Sequence, residues 1–513
     1  MPPEETRFIE SRAPNQRDWL DPDWREHAPF YQAIRQAADD DPVPALILAD
    51  WWEDQGHWEQ AALVRLRVES ESLPATNPRH HEARVQADCR ERVIMSRTTW
   101  RTGEEWPSRG AEDVPPGFRL ATRGLVARWR HGLPDMIFWE GATHPPNLIQ
   151  DAIDLAPLTG LNLFWCDRSR VSELQRLSWP IPPRRLWIRL GDFESNGGTL
   201  LTQLLDAWNA HDSLVELSLP VETLLGPNES ADLLLVRLPR RLKRLHLTST
   251  ASHLDDQARP LGDAGLARLI DWDGLERLET LALTHQRLTD RSALRLALAP
   301  ALKGLQHLNL SANLIGNRGV QALSTSGYLR GLRTLKLAGN ALGNAAARSI
   351  GSSHVLRNLQ ELDLSSNHLG DSGLQFLLSS EFLAELSVLE VGGNRIELKL
   401  GGVAGWDRFD DGPRIQKLNL CYNPVDAERG LPRIFETPAL QDLVIGEVRG
   451  LDLASLPEAW LRSRRWTRLR RLDARNARLP DDLARAWMAA CLGQLDVIQG
   501  SVVEASWLGA PSF

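Results

Sequence analysis

Five segments between residues 278 and 396 repeat one pattern: LETLALTHQRL (278–288), LQHLNLSANLI (305–315), LRTLKLAGNAL (332–342), LQELDLSSNHL (359–369) and LSVLEVGGNRI (386–396). Their first leucines are 27 residues apart in every case. Alternate residues of a short strand point to opposite faces, so in L-x-x-L-x-L the leucines turn inward and the residues between them turn outward. A fixed period of this length predicts a solenoid whose neighbouring units bury one continuous core.

Each period also predicts a turn and a helix after the strand. The asparagine that recurs in four units is suited to satisfying backbone groups where the chain leaves the strand. These residues are Asn313, Asn340, Asn367 and Asn394. In GNRGVQAL (316–323) and GDSGLQFL (370–377), the Gly-Asn or Gly-Asp turn is followed by apolar residues at helical spacing. One unit is therefore a strand, a turn and a helix.

The pattern continues with irregular spacing on both sides. Further units begin near Leu158, Leu186, Leu214 and Leu242, and near Ile415, Leu440, Leu469 and Leu492. Together with the five regular segments they make about thirteen units over residues 151–513. The leucine spacing and the G-D/N-x-G-L-x-x-L helix start resemble the ribonuclease-inhibitor type of leucine-rich repeat. This resemblance implies an α/β fold, a right-handed horseshoe solenoid with a parallel β-sheet inside and helices outside.

A different module precedes the repeats. Residues 28–75 carry apolar residues at helical spacing, interrupted by DDDP (39–42) and by Gly56, and this predicts three short helices. Asp40 or Asp41 is placed to cap the second helix. We expect a tail at 1–27, the helical module at 28–75, and a connecting helix, loop and cap at 76–150. GFRLATRGLVARWRHGLPD (117–135) alternates like a strand or hairpin that would cover the edge of the first repeat.

The second helix carries a further resemblance. ALILADWWEDQG (45–56), followed by AALVRLR (61–67), resembles the bacterial repeat-companion domain, with Asp50, Trp51, Glu53 and Gly56 on the shared positions. The chain departs from that family at Trp52, where leucine is usual, and at Arg67, where glutamine is usual. The resemblance implies a bacterial protein and names a module that precedes repeat regions, without implying an activity.

Composition excludes several classes. The 513 residues are 42% hydrophobic, with a net charge of −8 and a pI of about 6.0, so overall charge argues against nucleic-acid binding. The four cysteines are far apart and form no disulfide framework, which fits a reducing compartment. The N-terminus carries scattered charges rather than a signal peptide, and no uncharged apolar run is long enough to span a membrane. We therefore expect a cytoplasmic protein.

The sequence carries weak candidates for chemistry. Asp50 and Glu53 lie three residues apart on one helical face, and His80 and His81 stand near Cys89 without metal-ligand spacing. A nucleotide-binding GxxxxGK[ST] motif is absent. We predict no metal, no cofactor and no small-molecule substrate. An enzyme would require Asp50, Glu53, His80, His81 and His131 to gather in one pocket.

The predicted function is protein binding on the concave sheet face by a non-catalytic scaffold. Strand parity assigns the exposed positions, which we take as partner-binding candidates. They are Trp165, Arg185, Trp187, Arg189, Arg244, His246, His307, Lys336, Glu361, Asp363, Tyr422 and Arg471. Tryptophan and arginine in the first strands are the residue types that dominate interface energetics. Two alternatives stay open: Trp165 and Trp187 pack under the N-terminal cap, or the chain is an enzyme or an inhibitor that sequesters one.

Overall fold

The computed structural model describes residues 28–37, 41–54, 58–73, 79–80, 82–87, 90, 126–130, 133–140, 149–150, 153, 158–164, 173–179, 181–189, 203–208, 210, 212–221, 238–249, 260–398, 412–426, 434, 440, 442–444 and 471–473. The chain divides into two compact units, which we call unit one (Met1–Gly226) and unit two (Pro227–Phe513). No helix among the described residues is long and apolar enough to cross a membrane.

Unit one begins with helices and continues with strands. Its helices are α1 (Ala28–Gln36), α2 (Val43–Asp54) and α3 (Trp58–Ser72). Its strands are β1 (Val126–Arg130), β2 (Leu133–Glu140), β3 (Gly160–Phe164), β4 (Arg185–Arg189) and β5 (Glu216–Pro220). The three helices confirm the helical spacing of the N-terminal sequence.

Unit two alternates strands and helices. Its strands are β6 (Arg244–Thr248), β7 (Thr280–Leu283), β8 (His307–Asn309), β9 (Thr334–Lys336), β10 (Glu361–Asp363), β11 (Val388–Glu390), β12 (Lys417–Asn419), β13 (Asp442–Val444) and β14 (Arg471–Asp473). Its described α-helices are α4 (Gly262–Ile270), α5 (Asp290–Ala297), α6 (Asn317–Ser324), α7 (Asn344–Gly351) and α8 (Asp371–Leu378). Two 3₁₀ helices, Asp273–Arg277 and Pro300–Gly304, lead into β7 and β8.

The N-terminal helices of unit one bury an apolar core of their own. Tyr31, Leu48 and Trp52 are almost fully buried in a cluster that also includes Leu133 of β2. The backbone N–H of Val43 donates to Asp41 Oδ1 at 3.0 Å, so Asp41 caps α2 as the sequence predicts. The predicted helix end at Gly56 lies outside the described residues. The shared cluster joins the helical module to the strands of the same unit.

A hairpin covers the first parallel strand of unit one. β1 pairs antiparallel with β2, and β2 pairs in parallel with β3, followed by β4 and β5 in chain order. The strand or hairpin predicted over residues 117–135 corresponds to a hairpin at 126–140, whose second strand pairs with the edge of β3, and residues 117–125 lie outside the described residues. The α1 region also contacts segments that flank these strands, because Arg35 Nη2 donates to the carbonyl of Ile153 at 2.6 Å and Arg184 Nη1 donates to the carbonyl of Ala37.

In unit two, β6 to β14 pair in parallel in chain order and in register. The leucines of β6 to β13 face the core, and Leu281, Leu308 and Leu335 have at most 1% of their surface exposed. A fully buried leucine contributes about 1.5–3 kcal/mol, so the repeated leucines supply the main stabilising term. These features confirm the predicted leucine-rich repeat architecture. The unit predicted after Leu492 lies outside the described residues.

The recurring asparagines form a buried ladder. Asn340 Nδ2 donates to the carbonyls of Leu310 and Leu337, each at 3.0 Å, and Asn340 Oδ1 accepts from the N–H of Ile315 at 3.0 Å. Asn313, Asn367, Asn394 and Asn423 make equivalent bonds. The ladder satisfies backbone groups that would otherwise be buried without partners, as the sequence predicts.

A second ladder, which the sequence interpretation did not find, caps the helices across repeats. Helices α6, α7 and α8 follow glycines that supply no side-chain cap. The acceptor comes from the preceding repeat: Asn317 Oδ1 accepts from the N–H groups of Gly343 at 2.9 Å and Ala346 at 3.2 Å. The equivalent acceptors are 27 residues apart, at Asp263, Asp290, Asn317, Asn344 and Asp371, of which Asp371 accepts from the N–H groups of Glu397 and Leu398.

Candidate functional site

The predicted interaction residues of unit two lie on the sheet face opposite the buried leucines. Strand register arranges them in two rows, which together we call the sheet face. Row one runs Arg244, Thr280, His307, Thr334, Glu361, Val388 and Lys417. Row two runs His246, Ala282, Asn309, Lys336, Asp363, Glu390 and Asn419. All of these except the buried Ala282 are partly exposed. The structure therefore brings six of the predicted residues onto one accessible surface: Arg244, His246, His307, Lys336, Glu361 and Asp363.

Two ion pairs cross the centre of the sheet face. Lys336 Nζ lies 2.7 Å from Glu361 Oε1, and Lys417 Nζ lies 2.7 Å from Glu390 Oε1. Each pair joins a row-two residue to a row-one residue of the next strand. Partly exposed pairs of this kind contribute at most about 1 kcal/mol to stability. Their main effect is to fix the orientation of four charged side chains on the surface.

Asp363 has a structural role in addition to its place on the face. Its Oδ1 accepts from the backbone N–H of Ser365 at 2.9 Å. Asn309 and Asn419 hold the same position in other repeats and make the same bond, to the N–H groups of Ser311 and Cys421. Side chains that bond the backbone two residues onward stabilise a turn. Row two therefore shapes the loop that follows each strand as well as facing outward.

The pKa of His307 on the sheet face is lowered by its surroundings. Its Nδ1 lies 2.9 Å from Thr334 Oγ1 on the next strand. Partial burial lowers the pKa of His307, and the positive charges of Arg333, Arg244 and Lys336 lower it further, whereas Glu361 acts in the opposite direction. His307 therefore lies in a locally cationic part of the surface. The sequence interpretation missed Arg333 and Thr334, because it considered each strand without its neighbours.

A row of left-handed residues borders the sheet face. The residue before each ladder asparagine, and His285 before Gln286 at the equivalent position, has a positive φ between 53° and 66°. These residues are His285, Ala312, Gly339, Ser366, Gly393 and Tyr422. Tyr422 is 62% exposed with φ 57°, a conformation unusual for a bulky residue. Tyr422 thus lies in the turn after β12 rather than on the strand where parity placed it.

A shallow recess of about 550 Å³ lies at the edge where β8 to β10 begin. It is lined by Gly304, Gln306, Gly331, Arg333, Asn358, Gln360 and Glu385. Gln306 directly precedes His307 and Arg333 directly precedes Thr334, so the recess adjoins row one. The lining is mostly polar and offers hydrogen-bonding groups rather than an apolar cavity.

In unit one, the prediction that Arg185 is exposed is wrong. Arg185 is 2% exposed and forms a buried ion pair with Asp135, with Glu216 Oε2 at 3.7 Å from its Nε on the other side. Thr159 Oγ1 donates to Asp135 Oδ1 at 2.6 Å. Parity placed Arg185 on the correct face, but Met136, Gly160 and Glu216 in the same row are buried as well. We call Asp135, Arg185 and Glu216 the buried charge cluster.

Trp187 belongs to this cluster through a hydrogen bond. Its Nε1 donates to Glu216 Oε1 at 2.7 Å, and the side chain is partly buried. The tryptophan thus has a structural partner within unit one. Trp165 and the side chains of Arg189 and Arg471 lie outside the described residues, although the backbones of the two arginines lie in β4 and β14. The predicted residues of unit one therefore support an exposed binding surface less well than those of unit two.

The acidic pair of the helical module is held by an arginine. Arg65 Nη2 lies 2.8 Å from Asp50 Oδ1 and 2.5 Å from Glu53 Oε2 on the exposed side of α2 and α3. These hydrogen bonds raise the pKa of Arg65. His80 Nδ1 lies 3.1 Å from the carbonyl of Leu73, and His81 and His131 are outside the described residues. Within the described ranges, no group of three or more His, Cys, Asp or Glu side chains is arranged to hold a metal ion.

Comparison with known proteins agrees with this architecture. The family model described as a leucine-rich repeat matches residues 305–324 and 355–378. The chain carries leucine-rich repeats. No curated protein matches the chain.

Two solved structures that match part of the chain are internalins from Listeria monocytogenes. The structure of internalin inlF is 16% identical, covers 71% of this chain and 85% of its own, and superposes with a TM-score of 0.36. The structure of internalin C2 (inlC2) is 19% identical, covers 44% of this chain and 83% of its own, and superposes with a TM-score of 0.30.

Proposed function

We propose that the chain is a non-catalytic scaffold whose sheet face in unit two binds a protein partner. The observation that carries this proposal is the sheet face itself, where two rows of partly exposed polar side chains lie on a rigid parallel sheet. Charged side chains fixed by neighbours lose little entropy on binding, which favours recognition by a preorganised surface. The Lys336–Glu361 and Glu390–Lys417 pairs supply this order.

The bordering turn adds a second support. An exposed tyrosine is a common interface anchor, because it offers a large contact area and a hydroxyl with little rotamer entropy. Tyr422 has these properties, and its backbone is held in a left-handed conformation beside the face. Local strain of this kind concentrates at binding sites.

We further propose the finer assignments that the sequence suggests. The repeats would be of the ribonuclease-inhibitor type, and residues 28–75 would form a repeat-companion module in a bacterial, cytoplasmic protein. The helix starts at Gly316 and Gly370 and the three helices of the module support these assignments. The domain boundaries at 27/28, 75/76 and 150/151 stay predictions of the sequence.

Site-specific photocrosslinking in the native host tests the binding face. A photoreactive benzoylphenylalanine replaces Val388, which lies in row one, and as a control replaces Gln321, which is exposed on α6. We expect a discrete crosslinked protein from position 388 and none from position 321. Glu361→Arg should weaken that crosslink, because it reverses a fixed charge next to Val388.

Equal crosslinking from both positions, or none from position 388, would contradict the proposed face. A crosslinked protein that is chemically altered by the purified chain would instead support the enzyme alternative.

A further inference from the structure

We infer that the β6–β9 part of the sheet face recognises an acidic peptide segment of the partner, an inference that rests on the proposed binding function. The residues concerned are Arg244, His246, His307, Arg333 and Lys336, which we call the basic patch. Four of them are partner candidates from the sequence, and Arg333 is added by the structure.

Register gathers the basic patch from three repeats, those of β6, β8 and β9. Arg244, Thr280, His307 and Thr334 follow one another across β6, β7, β8 and β9. Adjacent strands are about 4.8 Å apart, so this row spans about 14 Å. Arg333 adjoins the row at the edge recess. An extended peptide rises about 3.3 Å per residue, so four or five residues would cross the patch.

Positive charges predominate among the described groups that act on His307. Arg333, Arg244 and Lys336 lower the pKa of its imidazole, and Glu361 acts in the opposite direction. The carboxylate of Glu361 is already engaged by Lys336 at 2.7 Å. The partner's side chains would therefore complement this surface best if they were carboxylates.

The neighbouring strands favour a peptide over a long polyanion. Glu361, Asp363 and Glu390 lie on β10 and β11, directly beyond the basic patch. A nucleic acid has a continuous negative backbone. If it extended from the basic patch across β10 and β11, its phosphates would be repelled by these carboxylates. The net charge of −8 adds a long-range repulsion. A short acidic segment can end before these carboxylates, and it carries fewer charges for the long-range repulsion to act on.

Binding should be coupled to proton uptake by His307. In the free chain, burial and the nearby cations lower the pKa of this imidazole, so it is neutral at and above neutral pH. A carboxylate placed beside it would favour the charged imidazolium and raise its pKa. By linkage, the affinity for an acidic segment must then increase as the pH falls through the raised pKa of the bound imidazole, while glutamate side chains remain ionised.

Fluorescence anisotropy with the full chain and a labelled hexaglutamate peptide tests the inference. We expect binding at low ionic strength that weakens with added salt, and much weaker binding of hexaglutamine and hexalysine peptides. The double variant Arg244→Gln/Arg333→Gln should lose about tenfold in affinity, corresponding to the loss of two charge contacts. The matched variant Arg295→Gln/Arg318→Gln, with both arginines exposed on α5 and α6, should bind as the parent does.

Two further variants examine the mechanism. Glu361→Gln removes the carboxylate that competes for Lys336 and should tighten hexaglutamate binding several-fold. His307→Gln should remove most of the pH dependence between 8 and 6 while keeping the salt dependence. If His307 had only a structural role, its substitution would not remove the pH dependence of binding while keeping the salt dependence.

Equal binding of hexaglutamate and hexaglutamine, or equal losses in the two arginine double variants, would overturn the inference. Tighter binding of a single-stranded oligonucleotide than of hexaglutamate would overturn it in favour of nucleic acid. If the crosslink from position 388 persists while hexaglutamate fails to bind, the proposed function stands and the acidic-segment inference fails.

Discussion

The carboxylate of Asp290 caps a helix that belongs to the next repeat. Its Oδ1 accepts hydrogen bonds from the N–H groups of Gly316 at 2.7 Å and Gly319 at 2.8 Å, at the start of α6. A Cβ at position 319 would lie 2.6 Å from the same oxygen, so glycine is required there. Helix capping and repeat stacking are thus one interaction, and each repeat depends on its predecessor for a complete helix start.

Loss of this cap should destabilise unit two. Asp290→Ala leaves two N–H groups of α6 without their acceptor, and we expect a loss of about 1–2 kcal/mol in the free energy of unfolding. Asp290→Asn should cost much less, because Asn317 performs the same role one repeat later. Urea unfolding at pH 7 measures both. An Asp290→Asn variant as unstable as Asp290→Ala would show that the negative charge, rather than the acceptor, is what matters.

Removal of a ladder asparagine should cost more. Asn340→Ala leaves the buried carbonyls of Leu310 and Leu337 without their side-chain donor, and we expect a loss of about 3 kcal/mol or more. The matched control is Asn358→Ala, because Asn358 is exposed and its Nδ2 donates to the carbonyl of Arg330 at 2.9 Å. This control should change stability by about 0.5 kcal/mol or less. Similar losses in the two variants, measured by urea unfolding, would refute the ladder's role.

A glycine at a left-handed position should stabilise the chain. Ala312 has φ 55°, whereas the equivalent residue of the next repeat is Gly339. Ala312→Gly relieves this strain at some entropic cost, and we expect a net gain of about 0.5–1 kcal/mol. Ala341→Gly, at an exposed site outside the left-handed positions, should instead be neutral or destabilising. The midpoint of thermal unfolding should rise in Ala312→Gly and should stay the same or fall in Ala341→Gly.

The buried charge cluster should make unit one sensitive to loss of its arginine. Arg185→Met leaves Asp135 and Glu216 buried without their cation, and we expect a cost of about 3–5 kcal/mol. Asp135→Asn in the same chain should restore part of this loss, since it removes one uncompensated charge. Hydrogen exchange of the Leu133–Glu140 amides reports on unit one directly. Arg176→Met, at an exposed arginine, serves as the control and should leave the exchange unchanged.

Lowering the pH should remove the contribution of the Asp263 carboxylate to the free energy of unfolding. Burial alone would raise the pKa of Asp263, but hydrogen bonds from Ser292 and Thr289 outweigh this effect and lower it. Because the folded pKa lies below the unfolded one, the stabilisation is complete above the ordinary pKa of about 4 and is lost as the pH falls through the lower folded value. The stability difference between the parent and Asp263→Asn should therefore shrink between pH 7 and pH 3. A difference that stays constant over this range would contradict the assignment.

Much of unit two follows from the sequence because its contacts are local and periodic. The leucines of β7 to β11 are buried where alternation predicts, and the asparagines bond backbone groups at the turns. The helix-capping positions were also visible in principle, since Asp290 and Asn317 recur at the same 27-residue interval. They were missed because a residue inside one helix gives no sign that its partner lies in the next repeat.

The burial of Arg185 could not be predicted in the same way. Alternation determines which face of a strand a residue occupies, but it does not determine what covers that face. Asp135 lies 50 residues earlier in the chain, and only the pairing of β2, β3 and β4 brings it to Arg185. The basic patch has a similar origin, because His307 and Arg244 come from different repeats and become neighbours through register.

The sequence by itself determined the repeat, its buried leucines, its asparagine turns and the three-helix module, since each depends on periodicity within a short stretch of chain. Tertiary structure decided which outward residues are accessible and which charges act on one another. Parallel pairing in register converts one residue per repeat into a continuous row, and coverage by distant segments can bury part of that row. Accessibility and charge proximity depend on contacts between residues far apart in the chain, so they belong to the folded protein.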